Sequence, residues 1–150
     1  MDITFRLMNK TDRNSVLCMM RTFYNSPALI TNGSEEIFAA NFDNSINNSP
    51  YLESYVILDN SNVIGYTMLA KSFSTEFGKE CIWFEDLYLK ESYRNKGIIP
   101  CFINFIKQKY SDKLLRLEAE EENLHAIHVY KKAGFKELPY KEYYFNSSDT

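Results

Sequence analysis

No apolar run in this 150-residue chain approaches the length that spans a bilayer, so no membrane-crossing helix is expected. The first residues, MDITFRLMNK, carry an acid at position 2 and no long apolar core, which argues against a secretory signal. Positive charge is not in excess: 17 Lys and Arg stand against 20 Asp and Glu, a formal net charge of −3 with a pI near 5.4. That balance implies no nucleic-acid partner and is compatible with a cationic substrate. Cysteine is scarce and odd in number. Cys18, Cys81 and Cys101 are far apart, lack metal-ligand spacing and lie in apolar stretches, so all three are expected as reduced core residues. His125 and His128 share a helical spacing of three without a third ligand, so no metal is expected. Repeats, linkers and low-complexity tracts are missing too, and the expectation is a single domain over 1–150, in the cytoplasm.

What is present reads as alternating elements. ITFRLM (3–8) alternates like a strand, and TDRNSVLCMMRTFY follows as a helix capped by Thr11 or Asp12, with Val16, Leu17, Met20 and Phe23 on one face. Ser34 caps a second helix whose first turn holds Glu35 and Glu36 and whose apolar positions are Ile37, Phe38 and Phe42. YLESYVILDN and NVIGYTMLAKSF read as a hairpin turning at DNSN, and GKECIWFEDLYL as the central strand. IPCFINFIKQKY is a helix with Pro100 in its first turn and Phe102, Phe105 and Ile106 on one face. KLLRLEAE is a strand, and the helix Leu124 to Lys132 stops at Gly134 in a left-handed cap. FKELPYKEYYF supplies one or two closing strands, and NSSDT is expected to fray. The order gives a mixed α/β domain, an antiparallel meander made partly parallel by helical crossovers.

The junction EDLYLKESYRNKGIIPCF (85–102) concentrates chemistry. A strand, a basic turn with one glycine and a helix start bring together backbone N–H groups that lack intrahelical partners, an arrangement that suits a phosphate. A single glycine is too few for a Walker loop or a dinucleotide fingerprint. One strand later, NLHAIHVYKKAGF places Asn123, Ala126, Tyr130 and Gly134-Phe135 along a helix.

Together, YRNKGI and this helix resemble the two signatures of the GNAT superfamily of acyl-coenzyme A-dependent N-acetyltransferases. The resemblance covers essentially the whole chain. It implies an α/β (α+β) fold with a mixed, partly antiparallel central sheet and helices on both faces. Acetyl-CoA is the implied co-substrate, a small-molecule amine the implied acceptor, and a homodimer is common among similar proteins. On this resemblance Leu87, Tyr88 and Leu89 would pair their backbone with pantetheine. Arg94, Asn95, Lys96, Gly97, Ile98, Ile99 and Pro100 would wrap the pyrophosphate, and Asn123 would bond the pantetheine. Tyr130 would lie beside the thioester sulfur. The pair Glu85-Asp86 is similar to that of the spermidine/spermine-type branch and of uncharacterised bacterial relatives, which implies substrate binding for Glu85 and Asp86, with support of the strand or the turn as the other role open to Asp86. Glu85 is taken to face the amine, because alternation sends the two side chains to opposite faces. Ile99 departs from the family's Gly or Ala and is expected to crowd the pyrophosphate, while Pro100 offers no N–H.

These roles make a direct transfer: Glu85 accepts a proton from the ammonium, a backbone N–H near Leu87 or Tyr88 bonds the developing oxyanion, and Tyr130 protonates the departing sulfur. The alternative is a non-catalytic acyl-CoA-binding or interaction domain with a degenerate pyrophosphate loop.

Overall fold

In the computed structural model, which describes residues 1–149, five strands form one sheet in the order β1-β2-β3-β4-β5. Strands β1 (Ile3–Leu7), β2 (Leu52–Asp59), β3 (Asn62–Ser74) and β4 (Lys79–Leu89) pair antiparallel. β5 (Leu114–Leu117) runs parallel to β4, and α3 (Ile98–Lys109) makes the crossover that parallel pairing requires. Helices α1 (Arg13–Tyr24) and α2 (Glu35–Ile46) lie between β1 and β2, and α4 (Leu124–Lys132) follows β5. The expected mixed sheet is therefore present, although β3, not β4, occupies its middle.

Each helix pair covers one face. Val16, Met19 and Met20 of α1 and Phe38 and Phe42 of α2 pack with Val56, Leu58, Tyr66, Met68 and Tyr88. On the other face Phe102, Ile103 and Ile106 of α3 pack with Tyr55, Leu69, Ile82 and Phe84. Burial of each such side chain contributes roughly 1.5–3 kcal/mol. Local chemistry sets the helix ends. Ser34 accepts the Ile37 N–H at 3.2 Å, and Glu35 is bound by Arg21, which ties α2 to α1. Ahead of α1 the cap falls one turn early: Asn9 and Asp12 close a capping box over a single 3-10 turn, and buried Asp12 takes both amino groups of Arg6.

Several expectations need correction. Ile37 is exposed because the α2 face that meets the sheet is the one carrying Phe38 and Phe42. Only Cys81 is buried; Cys18 and Cys101 sit on the outer faces of their helices. Residues 135–146 form no closing strand. Pro139 cannot donate to a ladder, and Tyr140 is tied instead to Glu76 in the β3–β4 turn, its hydroxyl 2.7 Å from the carboxylate. Beyond it Tyr143, Tyr144 and Phe145 are exposed. Ser147–Asp149 make a 3-10 turn, and Thr150 lies outside the described residues.

One irregularity matters for the site. Met68 pairs with Asp86 but Leu69 pairs with Phe84, so Glu85 is an extra residue in β4, a β-bulge. Its effect is visible in the packing. Ile82 and Phe84 face α3, whereas Asp86 and Tyr88 face Tyr66 and the α1 side. Strict alternation would have kept all four on one face.

Candidate active site

The end of β4 is held close by a glycine. A Cβ on Gly65 would lie 2.4 Å from the Tyr88 carbonyl oxygen and 2.8 Å from the Leu89 side chain, so any larger residue would push β3 and β4 apart. The chain then passes through one 3-10 turn, Glu91–Tyr93, into the basic turn. Asn95 (φ 62°) and Gly97 (φ 77°) are both left-handed. At Gly97 the demand is conformational alone, since an added Cβ would touch nothing.

The helix start that follows is open. No side chain caps α3, and its first intrahelical bond runs from Cys101 N–H to Gly97 O at 3.2 Å. The Gly97, Ile98 and Ile99 N–H groups thus have no intrahelical acceptor, and Pro100 has no N–H to offer. Arg94 spends its own N–H on Glu91 O, 3.1 Å away. Its Nε donates to Leu89 O at 3.0 Å, and its guanidinium lies 5.5 Å from the centre of the Tyr88 ring.

A cleft of about 980 Å³ joins the end of β4, the start of α3 and one side of α4. It brings together Leu87, Leu89, Arg94, Asn95, Gly97, Ile98, Ile99, Pro100, Asn123 and Tyr130. The Tyr88 side chain is buried on the opposite face beside Tyr66, so its backbone, the part expected to meet pantetheine, is what it has to offer here. The Lys96 ammonium lies 5.8 Å from the centre of the Tyr93 ring and does not line the cleft. Ile99 lines the cleft but is also partly buried against both α3-side core clusters.

Asn123 explains its own spacing to Ala126: its Oδ1 accepts the Ala126 N–H at 3.2 Å as the cap of α4, which leaves the amide NH₂ for a ligand. Seven residues on, Tyr130 packs against Phe135, with ring centres 6.4 Å apart. Burial raises its pKa and keeps the phenol protonated. Tyr130 also lines a second cleft, of about 970 Å³, which follows the outer edge of β5 between that strand, α4 and residues 135–142.

Near that second cleft the sheet comes apart. The last β4–β5 pair is Phe84 with Leu117, so Glu85 and Glu118 are the first residues past the split. Burial and the Glu142 carboxylate raise the pKa of Glu85. Burial also pushes Glu118 up to about 7, together with the charge and hydrogen bond of Glu142 and the charge of Glu85, against Arg116. Glu85 lines neither cleft wall directly. Asp86 is buried, and its carboxylate accepts from Tyr66 Oη at 2.9 Å and Tyr24 Oη at 3.3 Å.

Sequence reasoning missed Glu118, Glu142 and Lys107, whose Nζ donates to Ala133 O at 2.8 Å between the two clefts. Glu118 was within reach, because the parallel register places it one step past the partner of Phe84. Glu142 lay in a segment read as strand. Among the described residues no group of three or more His, Cys, Asp or Glu is placed to hold a metal, and no helix is long and apolar enough to cross a membrane.

Residues 18–135 match the model of the acetyltransferase (GNAT) family. Thialysine N-epsilon-acetyltransferase of Bos taurus is 35% identical over 79 residues, a stretch covering 51% of this chain and 46% of that protein. The chain thus matches about half the length of this curated relative. Among solved structures, a possible acetyltransferase from Clostridium difficile 630 superposes with a TM-score of 0.82 at 18% identity, covering 97% of this chain and 98% of the other. AAC(6')-Iy, in complex with the bisubstrate analogue CoA-S-monomethyl-acetylneamine, superposes at 0.78 and 15% identity, covering 97% and 99%. NAA60 of Arabidopsis thaliana, bound to a bisubstrate analogue, gives 0.70 at 21%, covering 89% and 83%. These structures establish the fold.

Proposed function

The chain belongs to the acetyltransferase (GNAT) family, and from that premise we propose that it transfers the acetyl group of acetyl-CoA to the primary amine of a small molecule. One domain over 1–150 would carry the reaction. The observation that carries the reading is the place of Tyr130, on the wall shared by the cleft of the open helix start and the cleft beside Glu118 and Glu142.

The residues fit the co-substrate. Unclaimed amides at Gly97, Ile98 and Ile99 suit a pyrophosphate, with the dipole of α3 behind them. Past Phe84 the β5-facing edge of β4 has no strand on it, which leaves backbone groups for the amides of pantetheine. The bound thioester supplies a carbonyl open to nitrogen attack. Glu85, directly or through a water, accepts the proton that the ammonium must lose before its nitrogen can attack. A backbone N–H near Leu87 or Tyr88 bonds the oxyanion as the C–N bond forms. As the C–S bond breaks, Tyr130 donates its phenolic proton to the sulfur, and the acylated nitrogen then gives its surplus proton to the Tyr130 phenolate. The carboxylates of Glu85, Glu118 and Glu142 favour a cationic acceptor.

A panel of amines and amino acids with acetyl-CoA, scored by released thiol, tests this. Turnover on at least one amine supports the reading. Acetyl-CoA binding by calorimetry with no turnover on any amine would point instead to a non-catalytic acyl-CoA-binding domain.

A further inference from the structure

We propose that Asp86 is a positioning residue for Glu85: clamped by the hydroxyls of Tyr66 and Tyr24, it pins the β4 bulge and so sets where the Glu85 carboxylate stands. The catalytic consequence rests on the acetyl-transfer reading above; the clamp itself does not.

A carboxylate that is 5% exposed and packed among the aromatic rings of a core costs stability unless its acceptors are met. Here both oxygens are met by phenols. Tyr66 Oη lies 2.9 Å from Oδ2, and Tyr24 Oη lies 3.3 Å and 3.4 Å from the two oxygens. Even so, burial pushes the Asp86 carboxyl up to about 6, against those two donors and with the Glu85 charge adding to the rise. A residue so poorly suited to a core invites a reason, and the register supplies one.

Without the extra residue at Glu85, the alternation of Ile82 and Phe84 would carry position 86 to the α3 side, among the neighbours of Phe102. There Asp86 would lose both phenols. Only the bulged register lets Phe84 pack against Phe102 while Asp86 reaches Tyr66, the fully buried tyrosine of the neighbouring strand. The Asp86 contacts therefore select the bulged register over the regular one. Glu85, the extra residue, is carried to the point where β4 and β5 separate. Tyr24 adds a second tie. It ends α1, packs on Phe38 with ring centres 5.2 Å apart, and leaves so little room at Gly33 that a Cβ there would lie 3.1 Å from its ring. The clamp thereby joins the α1–α2 connection to the strand that carries Glu85.

The test combines amide hydrogen exchange with a kinetic cycle on the full chain. Asp86→Asn and Tyr24→Phe are made alone and in a Glu85→Gln background. Exchange at Glu85 and Asp86 is expected to quicken at least tenfold in each clamp variant, with exchange from Leu87 onward and acetyl-CoA binding by calorimetry unchanged. Turnover should fall tenfold or more when Glu85 is present and less than twofold when it is already Gln, because the clamp acts through that residue. Unchanged exchange would overturn the proposal, as would an equal loss of turnover in both backgrounds. If Asp86→Asn does not fold, Tyr24→Phe, which removes one hydroxyl, carries the whole cycle. If the unmodified protein acetylates no amine, the acetyl-transfer reading falls, and exchange alone decides whether the clamp holds the bulge.

Discussion

Arg94 Nε and the Leu89 carbonyl oxygen stand 3.0 Å apart, so the side chain that opens the basic turn is fastened to the last residue of β4. The guanidinium keeps further N–H groups beyond that bond, on the wall of the cleft. Arg94→Ala should weaken acetyl-CoA roughly ten- to a hundredfold, in keeping with the ~1.5–3 kcal/mol of a charged hydrogen bond. A pantetheine fragment lacking pyrophosphate should be affected far less. Calorimetry with both ligands decides, and equal losses would mean that only the turn's geometry had been lost.

Ile99 serves two masters, the cleft and the core. Replacement by glycine should cost about 2 kcal/mol of stability, from lost burial and a glycine within the first helical turn. Urea denaturation measures that loss. Should the isoleucine also crowd the pyrophosphate, acetyl-CoA will bind more tightly to the same variant, and unchanged or weaker binding removes crowding from the account.

Tyr130 has one polar atom and a raised pKa from burial. Its replacement by phenylalanine should reduce turnover roughly a hundredfold or more, the range of general acid–base catalysis, and leave the fold and acetyl-CoA affinity intact. Single-turnover kinetics beside a binding isotherm separates the two effects. Full turnover in Tyr130→Phe would take the proton donor away from this residue.

Glu85 gives a prediction in pH. Burial and the Glu142 charge raise its pKa, so the deprotonated form needed as a base is lost sooner as pH falls. In Glu85→Gln, turnover should drop most near neutral pH and recover partly in alkaline buffer, where the amine is already uncharged. An even loss at every pH would identify positioning, not proton transfer, as its contribution.

Away from the site, Glu53 predicts acid stability. Burial would raise its pKa, but hydroxyls of Tyr110 (2.6 Å) and Tyr55 (2.8 Å) and the Lys109 ammonium (3.1 Å) outweigh it and hold the carboxylate at about 2. The folded value lies below the unfolded one near ~4.3, so this stabilisation is complete above that pH and disappears as pH falls towards 2. After allowance for solvent screening it amounts to about 1–2 kcal/mol. In Glu53→Gln that part of the acid dependence should vanish, which denaturant melts between pH 2 and 6 would reveal.

Features decided within a few residues were legible from the sequence. The Ser34 cap, the left-handed Gly134 and Pro100 in a first turn all follow from what one residue does to its own stretch of backbone. So did the convergence of Arg94, Gly97, Asn123 and Tyr130 on one cleft, through a spacing shared with a family. Features decided across the sheet were not. The bulge at Glu85 depends on what β3 offers opposite it, and no local pattern announces an extra residue. Nor does spacing tell that the Lys96 ammonium lies 5.8 Å from the centre of the Tyr93 ring. The aromatic run 140–145 has strand composition, yet strand formation needs a partner edge, and Tyr140 is committed to Glu76 instead.

That aromatic run governs how the protein behaves in a tube. Tyr143, Tyr144 and Phe145 are 90%, 74% and 85% exposed, so three neighbouring rings face water. Mutual repulsion of like-charged surfaces opposes association through such rings, and it vanishes near the pI of about 5.4. Solutions at pH 7.5 or above and modest ionic strength should stay clear, whereas dialysis through pH 5.4 should raise light scattering at a concentration tolerated on either side. Handling of the protein would then follow this colloidal window, set by three side chains that begin right after Glu142.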